Sequence, residues 1–544
     1  MPERTTANSR YTPGNRLQAS VVIVGAGPTG LAAGNLLGLA GVDTLILEQN
    51  ATLSECPKAI SIDDEGLRIC QAMGLGKEVL EHVLLDVDAH YLSRQRFLAK
   101  VSPTSRRNGY PLISTFDQPT FEATLLHGLE RFACVKMLFQ HTVETVGQDE
   151  QAVRLSVRKS DGTLLQVECT YLLACDGGKS PIRHALGIPM RPLFRHKNSK
   201  QDVGQRWLVV DCVEDEDDSA VATFFCDYRR PAVTVPAPRR ARRWEFMLLP
   251  GESEADLLRP ERIPMLIQEA QRSHPDMKAY EARPHVIRQT IYTFRTALAV
   301  RFFQGRVFLL GDAAHLMPPF GGQGMNSGLR DAHNLCWKIS LVLQGQASPP
   351  LLETYHEERY PHVAQMILFS ALLGKVIMPT NHLVALLRDL FFRGLNTVSP
   401  IRESLTEMRV KPQPRYGHGF LLPTSSRENK ALRGILLPQL SVQTQQGEHV
   451  LLDEVLGNGF ALLRLGEEMA LSVERLEGPL NGQSHLLTQS DKDSTQQISA
   501  LWRINLDLCV LVRPDRYVFG AFRMEEENDV AKKMQEMLQG QQVT

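Results

Sequence analysis

The first clear pattern in the chain is an apolar run followed by glycines. Residues 21–24 (VVIV) are apolar and β-branched, which predicts a strand buried on both faces. A glycine-rich turn over 25–30 (GAGPTG) follows, then helical residues 31–37, and then a second apolar run over 43–47 that ends on Glu48. This order predicts a strand–helix–strand unit in which the two strands are parallel.

The glycine spacing in this unit is GxGxxG, and each position has a separate physical task. Gly25 makes the tight turn, Gly27 lets the backbone approach a pyrophosphate, and Gly30 permits close packing of helix and strand. The start of the helix offers unpaired N–H groups to phosphates. Glu48, 18 residues after Gly30, is placed to accept hydrogen bonds from an adenosine ribose. The unit therefore predicts a dinucleotide site without deciding between FAD and NAD.

Two later strands run into polar turns of the same kind. Residues 171–174 (YLLA) are apolar and lead to an Asp-Gly pair at Asp176. Residues 306–310 (RVFLL) lead into 311–326 (GDAAHLMPPFGGQGMN), which is rich in glycine and proline. Both runs predict buried strands whose carboxyl ends carry binding residues.

Helical spacing dominates the region that follows. We expect one helix to begin near Ser327 and to stop before Gly345, a suitable residue for the end of a helix. A second helical region extends over 351–395. Its most apolar part, 366–376, contains Lys375 and is short for a membrane span, so we interpret it as a core helix. The sequence therefore predicts no integral membrane segment.

The remaining regions predict a second sheet and a separate C-terminal unit. Residues 190–300 contain short alternating runs rich in Val, Phe and Tyr, which predict an antiparallel sheet, and a smaller piece over 89–112 is expected to join it. Proline and arginine over 396–430 predict a linker. Residues 431–544 are long enough for a small α/β domain.

Charge excludes some classes of partner. Lys and Arg total 60 and Asp and Glu total 61, so the formal net charge is −1, which favours neither nucleic acid nor an anionic membrane. The arginine-rich run 239–243 is interpreted as a loop or strand edge, with acidic residues 214–218 offsetting it elsewhere.

The cysteines and the N-terminus point to a reducing compartment. No two of the nine cysteines form a CxxC pair and none has zinc-site spacing, so we predict reduced thiols and no metal. Residues 1–16 lack the apolar core of a signal peptide, and the expected location is the cytoplasm. The nine cysteines are Cys56, Cys70, Cys134, Cys169, Cys175, Cys212, Cys226, Cys336 and Cys509.

The order of the three motifs resembles a known family. GxGxxG, then Asp-Gly, then Gly-Asp-Ala-Ala-His with its prolines and Gly-x-Gly-x-Asn is similar to the single-component FAD-dependent aromatic hydroxylases of the p-hydroxybenzoate hydroxylase fold. The resemblance implies an α/β protein with a Rossmann-like FAD-binding domain over 17–395. An antiparallel substrate sheet, mainly 89–112 and 190–300, would be interleaved with that domain.

The resemblance also assigns residues to the cofactor. Asp312 would bind the ribityl and pyrophosphate region, Asp176 would help to hold FAD and the nicotinamide, and Gln118 would contact FAD near the start of a helix. The backbone around Gly324 would lie against the flavin ring, where the helix dipole would stabilise negative charge on the reduced ring. The expected cofactor-binding residues are Gly25, Gly27, Pro28, Thr29, Gly30, Glu48, Gln49, Lys58, Gln118, Asp176, Gly311, Asp312, Gly324, Met325 and Asn326.

One position departs from the family pattern. Relatives usually place an arginine before Ala-Ile, and this chain has Lys58 there. In the family that arginine helps to grip FAD. Lysine keeps the charge but lacks the planar fork of donors, so cofactor affinity or flavin mobility is expected to differ.

Four further stretches are similar to one branch of the family, the 3-(3-hydroxyphenyl)propionate hydroxylases. They are 59–68 (AISIDDEGLR), 244–252 (WEFMLLPGE), 330–338 (RDAHNLCWK) and 512–518 (VRPDRYV). Members of this branch carry a thioredoxin-like domain after the linker, so the resemblance implies one over 431–544. A single cysteine in that region gives no support for thiol–disulfide chemistry, and packing or homodimer formation is the expected role.

The implied reaction is hydroxylation of a phenol. FAD would be reduced by NADH or NADPH, dioxygen would form a flavin C4a-hydroperoxide, and one oxygen would go to a ring carbon ortho or para to the hydroxyl. By analogy the backbone at Pro318 and Pro319 faces the peroxide. The expected substrate is 3-(3-hydroxyphenyl)propionate or a related phenol of aromatic catabolism. His315 is interpreted as part of the flavin-binding turn rather than as a base.

The substrate-activating base is not assigned, and alternatives stay open. Arg206, Tyr228, Arg288 and Tyr292 are candidates for substrate contact by residue type and position, with surface ion pairs favoured for the arginines. The alternative functions are an epoxidase or decarboxylating hydroxylase acting on a secondary metabolite, and a non-catalytic flavin-binding protein. A halogenase is disfavoured because no Trp-x-Trp-x-Ile-Pro motif is present.

Overall fold

The computed structural model describes residues 16–54, 57–193, 204–272, 274, 284–423, 427–444, 447–465, 471–476, 482–489 and 508–541. Cys56 and parts of the predicted C-terminal unit, 431–544, lie outside this range. The helices are α1 (Pro28–Leu39), α2 (Asp64–Ala72), α3 (Gly76–Leu80), α4 (Gln118–Leu129), α5 (Pro181–Ala185), α6 (Glu254–Leu257), α7 (Arg262–Arg272), α8 (Gln323–Leu343), α9 (Thr354–Ile377), α10 (His382–Asn396), α11 (Ser399–Thr406), α12 (Arg427–Leu432), α13 (Leu452–Leu456) and α14 (Glu527–Leu538). The strands are β1 (Arg16–Val24), β2 (Thr44–Leu47), β3 (Ser61–Ile62), β4 (Val83–Leu84), β5 (Asp88–Ser93), β6 (Arg96–Val101), β7 (Ser114–Phe116), β8 (Val135–Leu138), β9 (His141–Gln148), β10 (Val153–Lys159), β11 (Leu164–Ala174), β12 (Met190–Arg191), β13 (Gln205–Val213), β14 (Val221–Phe225), β15 (Ala232–Ala237), β16 (Ala241–Met247), β17 (His285–Phe294), β18 (Ala297–Ala299), β19 (Phe303–Gln304), β20 (Val307–Leu309), β21 (His315–Leu316), β22 (Ser441–Gln443), β23 (His449–Leu451), β24 (Phe460–Leu465), β25 (Leu471–Leu476), β26 (Gly482–Gln489), β27 (Leu508–Val512) and β28 (Val518–Arg523).

The first sheet is built around the predicted strand–helix–strand unit. Its main order is β19-β20-β11-β1-β2-β8, and β10 and β9 extend it beside β11. β1 pairs in parallel with β2 and β11, and β11 pairs in parallel with β20. The carboxyl ends of these strands therefore meet at one edge, where the three predicted motifs lie. β1 begins five residues earlier than predicted, because its first half alternates in burial and is not a continuous apolar run.

Helix α8 packs against α1 over this sheet and differs from the prediction at its start. It begins at Gln323 rather than near Ser327. Gly322 has φ +63, a left-handed conformation that glycine adopts readily, so the chain turns into the helix inside the glycine-rich motif. The predicted stop is confirmed, because Gly345 follows the helix with φ +72.

The second sheet lies opposite this edge and is mostly antiparallel. Its order is β17-β13-β16-β15-β14-β5-β6. In sequence, β5 and β6 lie between β2 and β8 of the first sheet, and β13–β17 lie between β11 and β19, so the two sheets are interleaved along the chain. The contact between the two segments is the parallel pair β14–β5. Trp244 and Phe246 point away from the first sheet into a core shared with α7.

Helix α9 contains the stretch that sequence could confuse with a membrane span. Among the described residues, the helical stretch Pro349–Ile377 alone is long and apolar enough to cross a membrane, and 44% of its most apolar window is buried. Met366 and Ile367 are buried in the protein, whereas Leu368 and Leu372 are exposed. The prediction of a core helix is therefore confirmed for one face of α9.

The C-terminal region forms a third sheet. Its order is β23-β22-β26-β25-β24-β27-β28, and all of its described pairs are antiparallel. It contacts α8 through Trp337, whose ring centroid lies 5.6 Å from that of Phe460. The thioredoxin-like assignment and the predicted domain boundaries stay predictions. The predicted linker, 396–430, contains α11 and the buried residue Lys411.

Candidate active site

A cavity of about 1600 Å³ separates the carboxyl edge of the first sheet from the second sheet. Twelve of the fifteen predicted cofactor residues line it, and so do Pro318 and Pro319. Gly30, Gly311 and Asn326 do not line it. The twelve are Gly25, Gly27, Pro28, Thr29, Glu48, Gln49, Lys58, Gln118, Asp176, Asp312, Gly324 and Met325.

Each of the three glycines of the first motif has a different structural reason for lacking a side chain. Gly25 has φ +104, and a Cβ there would lie 2.3 Å from the carbonyl oxygen of Cys175. A Cβ at Gly30 would lie 2.0 Å from the carbonyl oxygen of Gly25. A Cβ at Gly27 would meet no protein atom within 4 Å, because this residue faces the cavity. The backbone at Gly27, at the N-terminus of α1, therefore fits the close approach of a phosphate group.

Thr29 joins the first motif to the third. A Cβ at Gly311 would lie 2.7 Å from Thr29 Oγ1, and one at Gly328 would lie 2.2 Å from it. The N–H of Gly311 donates to Asp331 Oδ2 at 3.0 Å, which fixes the turn before Asp312. Gly311 therefore serves the packing of the turn, and Asp312 faces the cavity.

His315 and Asn326 hold the third motif from inside the protein. His315 is fully buried, and its Nε2 lies 2.7 Å from Asp331 Oδ2, as expected for a structural rather than a catalytic residue. Asn326 Oδ1 accepts from the N–H of Asp63 at 3.2 Å, and Asn326 Nδ2 donates to the carbonyl oxygens of Ser61 (3.2 Å) and Gly322 (2.7 Å). The Asn326 side chain thus anchors the start of α8 to β3.

Glu48 and Asp176 lie at strand ends as predicted. Glu48 Oε2 accepts from the N–H of Ala26 at 2.9 Å, and Oε1 accepts from Asn50, so the carboxylate also supports the glycine turn. Asp176 Oδ2 accepts from the N–H of Ile182 at 3.2 Å. Burial raises the pKa of Asp176 above its ordinary value, although a hydrogen bond from Ser180 opposes the rise.

The loop around Lys58 is held between helix α4 and the second sheet. Gln118 Oε1 accepts from the N–H groups of Lys58 (2.6 Å) and Ala59 (2.7 Å). From the second sheet, Arg243 donates to the carbonyl oxygens of Lys58 (3.3 Å) and Pro57 (3.1 Å). Arg288 donates to the same Pro57 oxygen at 3.2 Å. Gln118 therefore fixes the backbone of this loop, and Lys58 lies at the cavity wall.

Of the four proposed substrate contacts, Tyr292 alone lines the cavity. Arg206 is exposed and pairs with Glu254 at 2.9 Å, and Arg288 pairs with Asp211. Tyr228 accepts a hydrogen bond from Arg94 at 2.6 Å. The predicted surface ion pair is confirmed for Arg206, whereas the ion pair of Arg288 is mostly buried.

Apart from Tyr292, the residues that line the cavity from the second sheet were not identified from the sequence. Tyr91, Phe224, Val233 and Glu245 form one row across β5, β14, β15 and β16, each opposite the next in register. The rings of Tyr91 and Phe224 stack with centroids 4.6 Å apart. Burial raises the pKa of Glu245, and Arg243 partly offsets this rise. An acid within the otherwise apolar stretch WEFM was the available sequence signal.

A buried charge cluster closes another wall of the cavity. Lys411 Nζ lies 2.9 Å from Asp63, 3.6 Å from Asp64 and 3.9 Å from Glu65. Arg330 pairs with Asp63 and with Glu65, the latter at 3.0 Å. Burial, with the neighbouring carboxylates, raises the pKa of Asp64 to about 6. Two cations thus face three carboxylates, at a position where the sequence alone showed only a family-like stretch.

Comparison with known proteins defines the class of this chain. The family model described as FAD binding domain matches residues 18–370, and the model described as HcaD C-terminal domain matches 434–480. The first match covers more than half of the chain, so the chain belongs to that family and is an FAD-dependent monooxygenase acting on an aromatic compound. The predicted family and enzyme class are confirmed.

The chain is also similar to individual proteins of known name or structure. The chain is 36% identical to a 3-(3-hydroxy-phenyl)propionate/3-hydroxycinnamic acid hydroxylase of Mycolicibacterium smegmatis, over 95% of this chain and 92% of that protein. It is 39% identical to the enzyme of the same name from Klebsiella pneumoniae, over 85% of this chain and 81% of that protein. The fold matches the flavin-dependent monooxygenase PieE in complex with FAD and substrate, with TM-score 0.73, 20% identity and coverage of 96% and 99%.

Proposed function

We propose that this enzyme uses NADH or NADPH and dioxygen to hydroxylate 3-(3-hydroxyphenyl)propionate or a closely related phenol. The observation that carries the proposal is one continuous cavity of about 1600 Å³, which extends from the nucleotide turn at Gly27 to the row containing Glu245. Such a cavity has room for both a dinucleotide and an aromatic substrate. The names of the relatives supply the substrate class.

The cofactor end of the cavity has the donors and the space that FAD requires. We assign the pyrophosphate to the backbone at Gly27 and the N-terminus of α1, the adenosine ribose to Glu48, and the ribityl chain to Asp312. Lys58 contributes a positive charge beside the phosphates. When bound, FAD would supply electron transfer from the nicotinamide and activation of dioxygen.

The substrate end must exclude water and ionise the phenol. Pro318, Pro319 and the apolar row Tyr91–Phe224–Val233 enclose this end of the cavity. We assign the proton-accepting role to Glu245: the phenol O–H bond breaks, and a Glu245 carboxylate oxygen takes the proton. Burial makes this carboxylate a stronger base than an exposed glutamate, which favours the transfer.

The test is NADH and NADPH oxidation by the FAD-loaded protein with 3-(3-hydroxyphenyl)propionate, with the product identified by mass. We expect substrate to stimulate oxidation and the product to gain one oxygen atom. The matched control is 3-phenylpropionate, which has the same side chain without the phenol and should give no oxygenated product. Stimulated oxidation that yields only hydrogen peroxide would remove this substrate from the proposal.

The same assay separates the alternative reactions. Loss of carbon dioxide from the product would identify a decarboxylating hydroxylase, and oxygenation of an alkene without a phenol would identify an epoxidase. All eight described cysteines are free, which supports the inferred cytoplasmic location. The homodimer stays a prediction, to be checked by sedimentation of the purified enzyme.

A further inference from the structure

A second cavity lies where the first sheet's helices meet the C-terminal region. Its volume is about 270 Å³, and it shares no lining residue with the large cavity. Its walls include Leu36 of α1, Trp337 and Leu341 of α8, Phe460 of β24 and Leu538 of α14. Parts of two family-like stretches, 330–338 and 512–518, also meet here. The cavity is therefore mainly apolar and built from three distant parts of the chain.

One buried cation lines this apolar space without a full set of partners. Arg516 is 3% exposed, and its Nη2 donates to the carbonyl oxygen of Gly457. Its Nε lies 3.4 Å from Asp453 Oδ1 but makes no hydrogen bond, and within the described part of the chain its Nη1 has no partner. The indole Nε1 of Trp337 is likewise buried without a described acceptor. Two buried donors, Arg516 Nη1 and Trp337 Nε1, thus lack a described acceptor beside the cavity, and unmet donors of this kind are costly.

Arg516 shares its ion-pair carboxylate with a second arginine. Asp453 binds Arg68 through both carboxylate oxygens at 2.7 Å, so Arg68 and Arg516 share one carboxylate. The neighbouring Asp515 is held by Arg513. His333 adds no charge near neutral pH, because burial lowers its pKa to about 4. A monoanion beside Arg516 would pair with a cation that only shares a carboxylate, and it would accept the unmet hydrogen bonds.

We propose that this cavity is a second ligand site, for a small amphipathic monoanion: a carboxylate attached to a single aromatic ring. A dry apolar cavity of roughly 150 Å³ holds benzene, so about 270 Å³ accommodates one ring with a short acidic side chain. The ring lies against Trp337 and Phe460, and the carboxylate lies at Arg516. The ligand therefore bridges the FAD-binding region and the C-terminal region.

The probe is 3-(4-bromophenyl)propionate, which has the ring and the acid but no phenol to hydroxylate. Calorimetry with the FAD-loaded full chain is expected to give two sites, of which only one changes the flavin absorbance. Bromine anomalous scattering in crystals soaked with the probe should then show density beside Arg516. Bromine density confined to the large cavity would overturn the proposal.

Three variants locate the second site. Ala40→Phe fills the cavity while leaving Arg516 in place, and it should abolish the second site without altering the flavin titration. Arg516→Gln should weaken that site at least tenfold, whereas Arg523→Gln, which removes an exposed charge from the same region, should not. A second site that binds equally in Ala40→Phe lies elsewhere and refutes the proposal. Binding of bromide ion but not of the aromatic acid also refutes it.

Discussion

Lys411 is the residue whose replacement tests the charge cluster most sharply. It is buried at 6% exposure, and it is one of two cations facing Asp63, Asp64 and Glu65. Lys411→Met keeps the length and apolar stem of the side chain, but it leaves only Arg330 paired with these acids among the described residues. Because removal of one partner leaves buried charge uncompensated, the loss in free energy of unfolding should be many times larger than for a surface ion pair.

The magnitude follows from the burial and from the titration of Asp64. Breaking a buried ion pair costs about 3–5 kcal/mol. With an unfolding entropy of ~2.1 cal/mol/K per residue, 544 residues give about 1 °C of melting temperature for each kcal/mol, so the expected drop is about 3–5 °C. The pKa of Asp64, about 6 against an ordinary 3.8, makes stability fall as pH rises between those values. Lys411 lowers this pKa, so its loss extends the fall above pH 6.

The assay is thermal unfolding of the FAD-loaded protein at pH 5 and pH 8. Lys411→Met should melt below the wild type at both values, with the larger difference at pH 8. The control is Arg409→Met, two residues away, where the side chain is exposed and pairs with Glu403 at the surface. That variant should change the free energy of unfolding by less than about 1 kcal/mol. Equal melting of Lys411→Met and wild type at pH 8, or a larger loss at pH 5, would refute the reasoning.

Three other predictions address the active site. Gly30→Ala should destabilise the flavin-free protein, because its Cβ would lie 2.0 Å from the Gly25 carbonyl oxygen. Gly27→Ala should leave that stability unchanged but weaken FAD binding at least tenfold in a fluorescence titration. Equal destabilisation by the two variants would contradict this prediction. Glu245→Gln should lower kcat at least tenfold at neutral pH and less at alkaline pH, where the phenol ionises unaided; a loss independent of pH would exclude the proton-accepting role. Lys58→Arg should tighten FAD several-fold, and unchanged affinity would show that charge alone is sufficient.

The nucleotide turn could be predicted because its information is local. Gly25, Gly27 and Gly30 lie within six residues, and the strand that ends at Glu48 follows directly, so periodicity and spacing define the whole unit. For the third motif, the sequence predicted the type of element but not its first residue. The helix expected near Ser327 begins at Gln323, because Gly322 adopts a left-handed conformation that composition alone does not reveal.

The arginine-rich run shows what local pattern cannot supply. Sequence placed 239–243 in a loop or strand edge, and Arg239 and Arg240 do lie in the turn before β16 with positive φ. Arg242, however, is 1% exposed and pairs with Asp215 (3.4 Å) and Asp217 (3.0 Å). The acidic run expected to lie elsewhere therefore lies against this arginine. A charged residue is buried here because sheet pairing brings a partner of opposite charge near it. The hydropathy of the arginine-rich run does not reveal that partner.

The same limitation explains why the segment 396–430 was expected to be only a linker. Its proline and polar residues indicate where the backbone bends. The position of the Lys411 side chain, however, is determined by acids almost 350 residues earlier in the chain. Further along, Arg513 pairs with Glu358 of α9 at 2.7 Å, with both side chains fully buried. Removing the chain after residue 395 would leave Glu358 and the acids around Asp63 buried without these cations. The C-terminal region is therefore part of the electrostatic core that supports the cavity wall, and an FAD-binding region expressed without it should not fold stably.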